Sequence, residues 1–109
     1  MIVVSTEFVA GKKITETLGI VRGNTIRARH LGKDILAGLK NLIGGEIEEY
    51  TKMIAESREQ SLDRMVAEAE NLGADAVVNV RFMTASMMQN AAELLAYGTA
   101  VKLEDQSPG

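Results

Sequence analysis

Between Gly45 and Leu72 the chain repeats apolar residues at helical spacing for longer than a domain of its size can accommodate. Ile47, Tyr50, Ile54, Leu62, Met65, Val66, Ala69 and Leu72 fall on one stripe. Glu46, Glu48 and Glu49 occupy the first turn, where the helix dipole favours carboxylates. Gly73 stands just past the end, where helices commonly close on a left-handed residue. At ~1.5 Å per residue, about 27 residues make a helix roughly 40 Å long. A compact chain of 109 residues is equivalent to a sphere only about 34 Å across. One copy cannot cover the whole stripe, so the pattern predicts a homo-oligomer. Closed cyclic symmetry is the usual form, because open arrays polymerise.

The flanking segments have the strand period of two. Ile2 to Ser5 reads as a short strand. From Ile14 to Val21, Ile14, Leu18 and Ile20 alternate with Thr15, Thr17 and Gly19. Gly23-Asn24 reads as a turn, since both residues tolerate positive φ. Beyond it Ile26, Ala28 and His30 share one face, and Thr25, Arg27 and Arg29 the other. The expectation is a hairpin over Ile14 to His30 with arginines on its exposed side. Ile35, Leu36, Leu39, Leu42 and Ile43 predict a short helix within Lys33 to Ile43, stopped by Gly44-Gly45.

After the long helix, a strand is expected from Ala76 to about Met87, with Val78, Val80 and Phe82 facing one way and Asn79 and Arg81 the other. Gln89-Asn90 is the expected turn, and Ala92 to Leu103 the returning strand. That strand carries Leu95, Tyr97, Thr99 and Val101 on one face and Leu94, Ala96, Gly98 and Ala100 on the other, both largely apolar or small, which predicts burial on both sides and again asks for neighbouring copies. The fold class is α+β: antiparallel strands packed on one long helix plus a short helix. Residues 1–103 read as one domain, and Glu104 to Gly109 as a disordered tail.

Composition removes several classes of function. There is no cysteine, hence no disulfide, thiolate metal site or cysteine nucleophile. Met1 to Ser5 has no basic n-region, and no apolar stretch approaches the ~18 residues of a membrane span. A soluble, cytoplasmic protein is expected, with no membrane partner. A net charge of −3 argues against nucleic acid. The charge is unevenly placed. Gly11 to Lys40 holds seven cations against two acids, a net +5; Glu46 to Asp75 holds nine acids against three cations, a net −6. These halves attract one another, within a subunit or between neighbours. A basic anion-binding surface around Arg27 and Arg29 is the sharper alternative.

Arg58 is the most informative single residue, because helical spacing sets it near the middle of the apolar stripe. A cation there must be paired, must hold an anionic ligand in a shared cleft, or must snorkel to solvent. His30 is the only histidine, and a zinc site would need carboxylates gathered around it. Met83, Met87 and Met88 cluster near the last turn. Thioethers select soft metal ions, but methionine more often fills cores and interfaces. Gly44-Gly45 follows a helix and lacks the spacing of a phosphate-binding loop. Ser5, Ser57, Ser61 and Ser86 have no histidine or lysine at suggestive spacing. No catalytic constellation emerges, no cofactor is indicated, and the expectation is a non-enzyme.

Three stretches carry a family resemblance: Gly38 to Gly45 (Gly-Leu-Lys-Asn-Leu-Ile-Gly-Gly), Leu72 to Val78 (Leu-Gly-Ala-Asp-Ala-Val-Val) and Tyr97 to Lys102 (Tyr-Gly-Thr-Ala-Val-Lys). With Ser5-Thr6 and Gly19-Ile20-Val21, they resemble the YbjQ family of uncharacterised bacterial and archaeal proteins over about residues 3 to 103. The resemblance implies a small, dodecin-like subunit assembled as a ring, typically a pentamer. It also brings a heavy-metal-binding label, for which this chain offers only His30 and methionines such as Met87 and Met88 as ligands. Glu56-Ser57-Arg58-Glu59 is similar to the family pattern, whereas Gln89-Asn90-Ala91 departs from an expected Gln-Asn-Gly.

Overall fold

The computed structural model describes residues 1–27, 47–88 and 91–106, and the side chains among them other than those of 27, 47–53, 86–88, 91 and 92. Four strands and one helix follow in the order β1 (Ile2–Val3), β2 (Lys12–Arg27), α1 (Ile47–Asn71), β3 (Ala76–Met88) and β4 (Ala91–Asp105). The strands form one sheet in the order β1-β3-β4-β2. β1 runs parallel to β3, and β4 is antiparallel to both β3 and β2. The α+β class holds. The expected short helix at Lys33 to Ile43, the Gly44-Gly45 stop, the Gln89-Asn90 turn and residues 107–109 lie outside the described residues.

The long helix ends as its sequence predicts. Gly73 has φ +77°, its N–H donates to Glu70 O at 2.9 Å, and the Ala74 N–H donates to Ala69 O at 3.0 Å. This pair of bonds is the Schellman closure, which satisfies carbonyls that the last turn leaves without partners. Ala74 then packs on the core beside Ala69.

The expected hairpin over Ile14 to His30 is not formed. β2 passes straight through Gly23-Asn24, pairing Gly23 with Ala96 and Asn24 with Leu95. Gly23 is needed for a different reason: the helix backbone lies against it. A Cβ at this position would stand 2.3 Å from Ser61 O and 2.4 Å from Met65 N. The glycine reads locally as a turn, but its missing side chain is a seat for α1. Two register shifts, between Ile14 and Glu16 and between Thr17 and Gly19, interrupt the ladder near the start of β2.

The same close approach sets which side of α1 faces the sheet. Ser57, Ser61, Met65 and Ala69, four residues apart, are the buried line, while Ile54, Leu62 and Val66 are half-buried beside it. Arg58 is exposed, so the seam lies to one side of the predicted stripe centre. Small serines sit where the helix presses on Gly23. Their hydroxyls have partners, with Ser61 Oγ 2.9 Å from Ser57 O and 3.0 Å from Leu94 O. Thr25 Oγ1, also buried, lies 3.4 Å from Ser61 Oγ. Satisfied hydroxyls cost little in a core.

Two apolar clusters result, one on each side of the sheet. Val21, Met65, Ala69, Val77, Val80, Ala96 and Ala100 pack between sheet and helix. Ala76, Val78 and Val101 pack on the other side under Val4, Val9, Ile14 and Leu103. β4 reaches Asp105, two residues past the expected strand end and into the stretch expected to be a disordered tail. Lys12 pairs with Asp105 there, and the Gln106 N–H donates to Gly11 O at 3.1 Å. The Lys12 ammonium, by its hydrogen bond first and its charge second, holds the Asp105 carboxyl below the usual aspartate range.

Gly23→Ala is expected to destabilise the chain by about 2–3 kcal/mol in chemical denaturation, because the atoms in the way are helix backbone. Wild-type stability would show that α1 stands farther from β2. Lys12→Ala should move the Asp105 pKa up toward its ordinary value, read by carboxyl-carbon NMR. The folded pKa is depressed, so the pair's small contribution is present at neutral pH. It is lost as pH falls through the depressed value.

Candidate interaction face

Strand period makes the two sides of β2 unlike. Val21, Gly23 and Thr25 are buried beneath α1, whereas Ile20, Arg22, Asn24 and Ile26 point to the other side and are exposed. Ile20 is 73% exposed and Ile26 54%. On β4 the helix-side residues Leu94, Ala96, Gly98 and Ala100 are buried, and Glu93, Leu95, Tyr97 and Thr99 opposite them are half-buried. The division of β4 into these two faces is the predicted one. Among the described residues, burial on both sides is reached only at the end near Val101, which residues 4–14 cover.

A bulge in β3 determines what this bare face presents. The register passes from Val78 opposite Thr99 to Arg81 opposite Tyr97, leaving Asn79 and Val80 opposite Gly98. Asn79 takes φ 54°, a left-handed conformation that asparagine tolerates better than most residues. Its N–H donates to Thr6 O at 2.8 Å, and the Val80 N–H donates to Val4 O at 3.0 Å. The extra residue breaks the expected common face of Val78, Val80 and Phe82. Val80 joins Val77 under the helix, and Val78 lies on the opposite side. Arg81 is thereby brought onto the bare face.

Arg22, Tyr97 and Arg81 form one cross-strand row there. Arg81 Nη1 donates to Ser5 O at 2.8 Å and to Val80 O at 2.9 Å, which fixes the guanidinium against the N-terminal loop. The next row is Asn24, Leu95 and Met83, with Met83 54% exposed. Asn24 Nδ2 donates to Glu93 Oε2 at 2.9 Å. Among the described residues the one ion pair is Lys12 with Asp105, so neither Arg22 nor Arg81 has a carboxylate partner there. Two guanidinium groups flank a phenol on a surface otherwise rich in exposed aliphatic side chains. Such a face suits a protein partner or an anion.

The residues singled out from sequence are not gathered into this site. Arg58 is exposed on α1, away from the bare face. Arg27 ends β2, and Met87 and Met88 end β3, but their side chains lie outside the described residues, as do Arg29 and His30 altogether. Among the described residues, no group of three histidine, aspartate or glutamate side chains could hold a metal ion. No helix among them is long and apolar enough to cross a membrane. Arg22, Arg81 and Tyr97 were not separated by sequence reading. Tyr97 and the β3 alternation were visible, but the supposed turn at Gly23 and the bulge at Asn79 concealed the row.

A helix on one side of a four-stranded mixed sheet, with the other side largely exposed among the described residues, defines a small α+β protein. The chain belongs to the YbjQ family, whose model, described as "Putative heavy-metal-binding", matches residues 1–104. A UPF0145 protein of Methanosarcina acetivorans is 61% identical, over 94% of this chain and 97% of its own length. One from Archaeoglobus fulgidus is 62% identical, over 94% and 95%. A crystal structure of a protein of unknown function from Pediococcus pentosaceus, assigned to the DUF74 family, shares the fold. Its TM-score is 0.63 at 14% identity, over 95% of this chain and 98% of that one.

Asn79→Gly should leave the bulge intact, whereas Asn79→Val should lose about 1–3 kcal/mol, the range for a bulky residue forced to positive φ. Equilibrium denaturation of both variants checks this. Equal stability would mean that β3 can pair without the bulge.

Proposed function

We propose that this protein is a non-enzymatic, cytoplasmic homo-oligomer, a ring of five copies, that holds a small anionic ligand or a partner between its subunits. The observation that supports this reading is the bare sheet face, where exposed Ile20, Ile26 and Met83 surround the Arg22–Tyr97–Arg81 row. The Cα radius of gyration of 17.8 Å, against about 13 Å for a compact chain of this length, supports it too. A subunit this extended leaves much of its surface for neighbours. Arg58, together with Arg27 and Arg29, supplies the cations proposed to face the ligand. Ring closure would bring such groups from adjacent copies into one cleft.

The family's description favours a second reading, a metal site built from His30, Met87 and Met88, with carboxylates, around a symmetry axis.

Native mass spectrometry of untagged protein distinguishes the two. The expected result is a five-copy ring that retains an anionic species and takes up no zinc, copper or nickel on incubation. Stoichiometric metal uptake would favour the second reading, and a monomer at all concentrations would end the first. Arg58→Ala is expected to release the ligand or dissociate the ring. An intact ring with unchanged ligand would show that Arg58 only reaches to solvent.

A further inference from the structure

The proposal concerns which surfaces of the subunit meet, and it rests on the ring reading. Among the described residues, one side of the sheet is covered by α1, and the other is exposed except under Val4, Val9, Ile14 and Leu103, which leaves room for a third layer over β2 and β4. Two surfaces compete to form that layer. One is a second copy of the bare face itself, and the other is the outer side of α1.

The outer side of the helix has a distinctive composition. Opposite the buried line of Ser57, Ser61, Met65 and Ala69, helical spacing places Glu56, Glu59, Asp63, Ala67 and Glu70 on a single stripe. All five are exposed. Between Glu56 and Glu70 the stripe carries four carboxylates and no cation. The bare face carries Arg22 and Arg81 with no carboxylate partner among the described residues.

Electrostatics therefore decides among the pairings. Face against face brings the arginines of two copies together, and helix against helix brings eight carboxylates together. Like charges held in contact are a strong selector against a partner. Only face against helix joins opposite signs. It also lets Ile20, Ile26 and Met83 press on small Ala67 and on the methylene stems of the acids.

We infer that the bare sheet face of one subunit docks on the acidic outer stripe of α1 in the next. Arg22 and Arg81 reach its carboxylates, and Tyr97 lies at the centre of the contact. This contact is heterologous: each copy offers a different surface at either side. Repetition about an axis then closes a ring, whereas a two-fold dimer is not available to it.

Two variants test the geometry, both confined to exposed positions and checked for folding by circular dichroism. Ile20→Glu with Arg22→Glu blocks the sheet face, and Glu59→Arg with Asp63→Arg blocks the helix face. By native mass spectrometry each is expected to be monomeric alone, with the ring species lost. Mixed in equal amounts, they should re-associate into species holding both variants, since one intact face meets one intact helix and the reversed charges of the other two surfaces are again opposite in sign. Persistence of the wild-type ring in the helix variant, with loss only in the sheet variant, would overturn the proposal while leaving the ring in place. Rings from both variants would also overturn it. A monomeric wild-type protein would remove the ring reading itself.

Discussion

The structure depends on the contact between the α1 backbone and Gly23 of β2. There the helix comes so near the sheet that only hydrogen fits between them. Large side chains are then impossible at the crossing, and Ser57 and Ser61 occupy it, the Ser61 hydroxyl bonded to the backbone carbonyls of Ser57 and Leu94. Larger residues return farther along the helix, where Met65 fills the space against Val21 and Val77. A helix seated this deeply fixes which side of the sheet it covers. Among the described residues the opposite side is covered only where Val4, Val9, Ile14 and Leu103 pack over Ala76, Val78 and Val101.

The long helix, its glycine end, the β3–β4 hairpin and the division of β4 into two faces were all legible in the sequence. Each depends on local period or on a single cap. The continuity of β2 through Gly23-Asn24 was not. Gly23-Asn24 satisfies the local criteria for a turn, and only a helix more than thirty residues downstream shows that the glycine serves a close approach. The side of α1 that meets the sheet was legible in part: Met65 and Ala69 of the expected stripe are buried, with Leu62 and Val66 beside them. A stripe drawn through the apolar residues passes over Arg58, whereas the buried line runs through Ser57 and Ser61, where small size matters more than hydropathy.

Asn79 gives the same lesson on a smaller scale. Alternation along β3 predicts Val78 and Val80 on one face, and one left-handed residue reverses this. The partners that hold the bulge are carbonyls of Val4 and Thr6, which belong to a loop without secondary structure of its own. The opening residues of the chain thus act on the site from a distance. They clasp the bulge, and through Ser5 they hold the guanidinium that the bulge turns outward. The Ser5-Thr6 pair, noted at first only as part of a family resemblance, acquires a physical role.

The interrupted ladder of β2 has a consequence for solubility. β2 is an edge of the sheet, sixteen residues long, with a partner on one side only among the described strands. A flat edge of that length is a template on which any extended segment can add, and cells must keep such templates from seeding aggregates. The shifts at Ile14/Glu16 and Thr17/Gly19 twist the strand out of plane and break the row of free amides and carbonyls. Lys12, Lys13 and Glu16 place charge along the same stretch. The irregularities act as guards, making this edge a poor seed for uncontrolled strand addition.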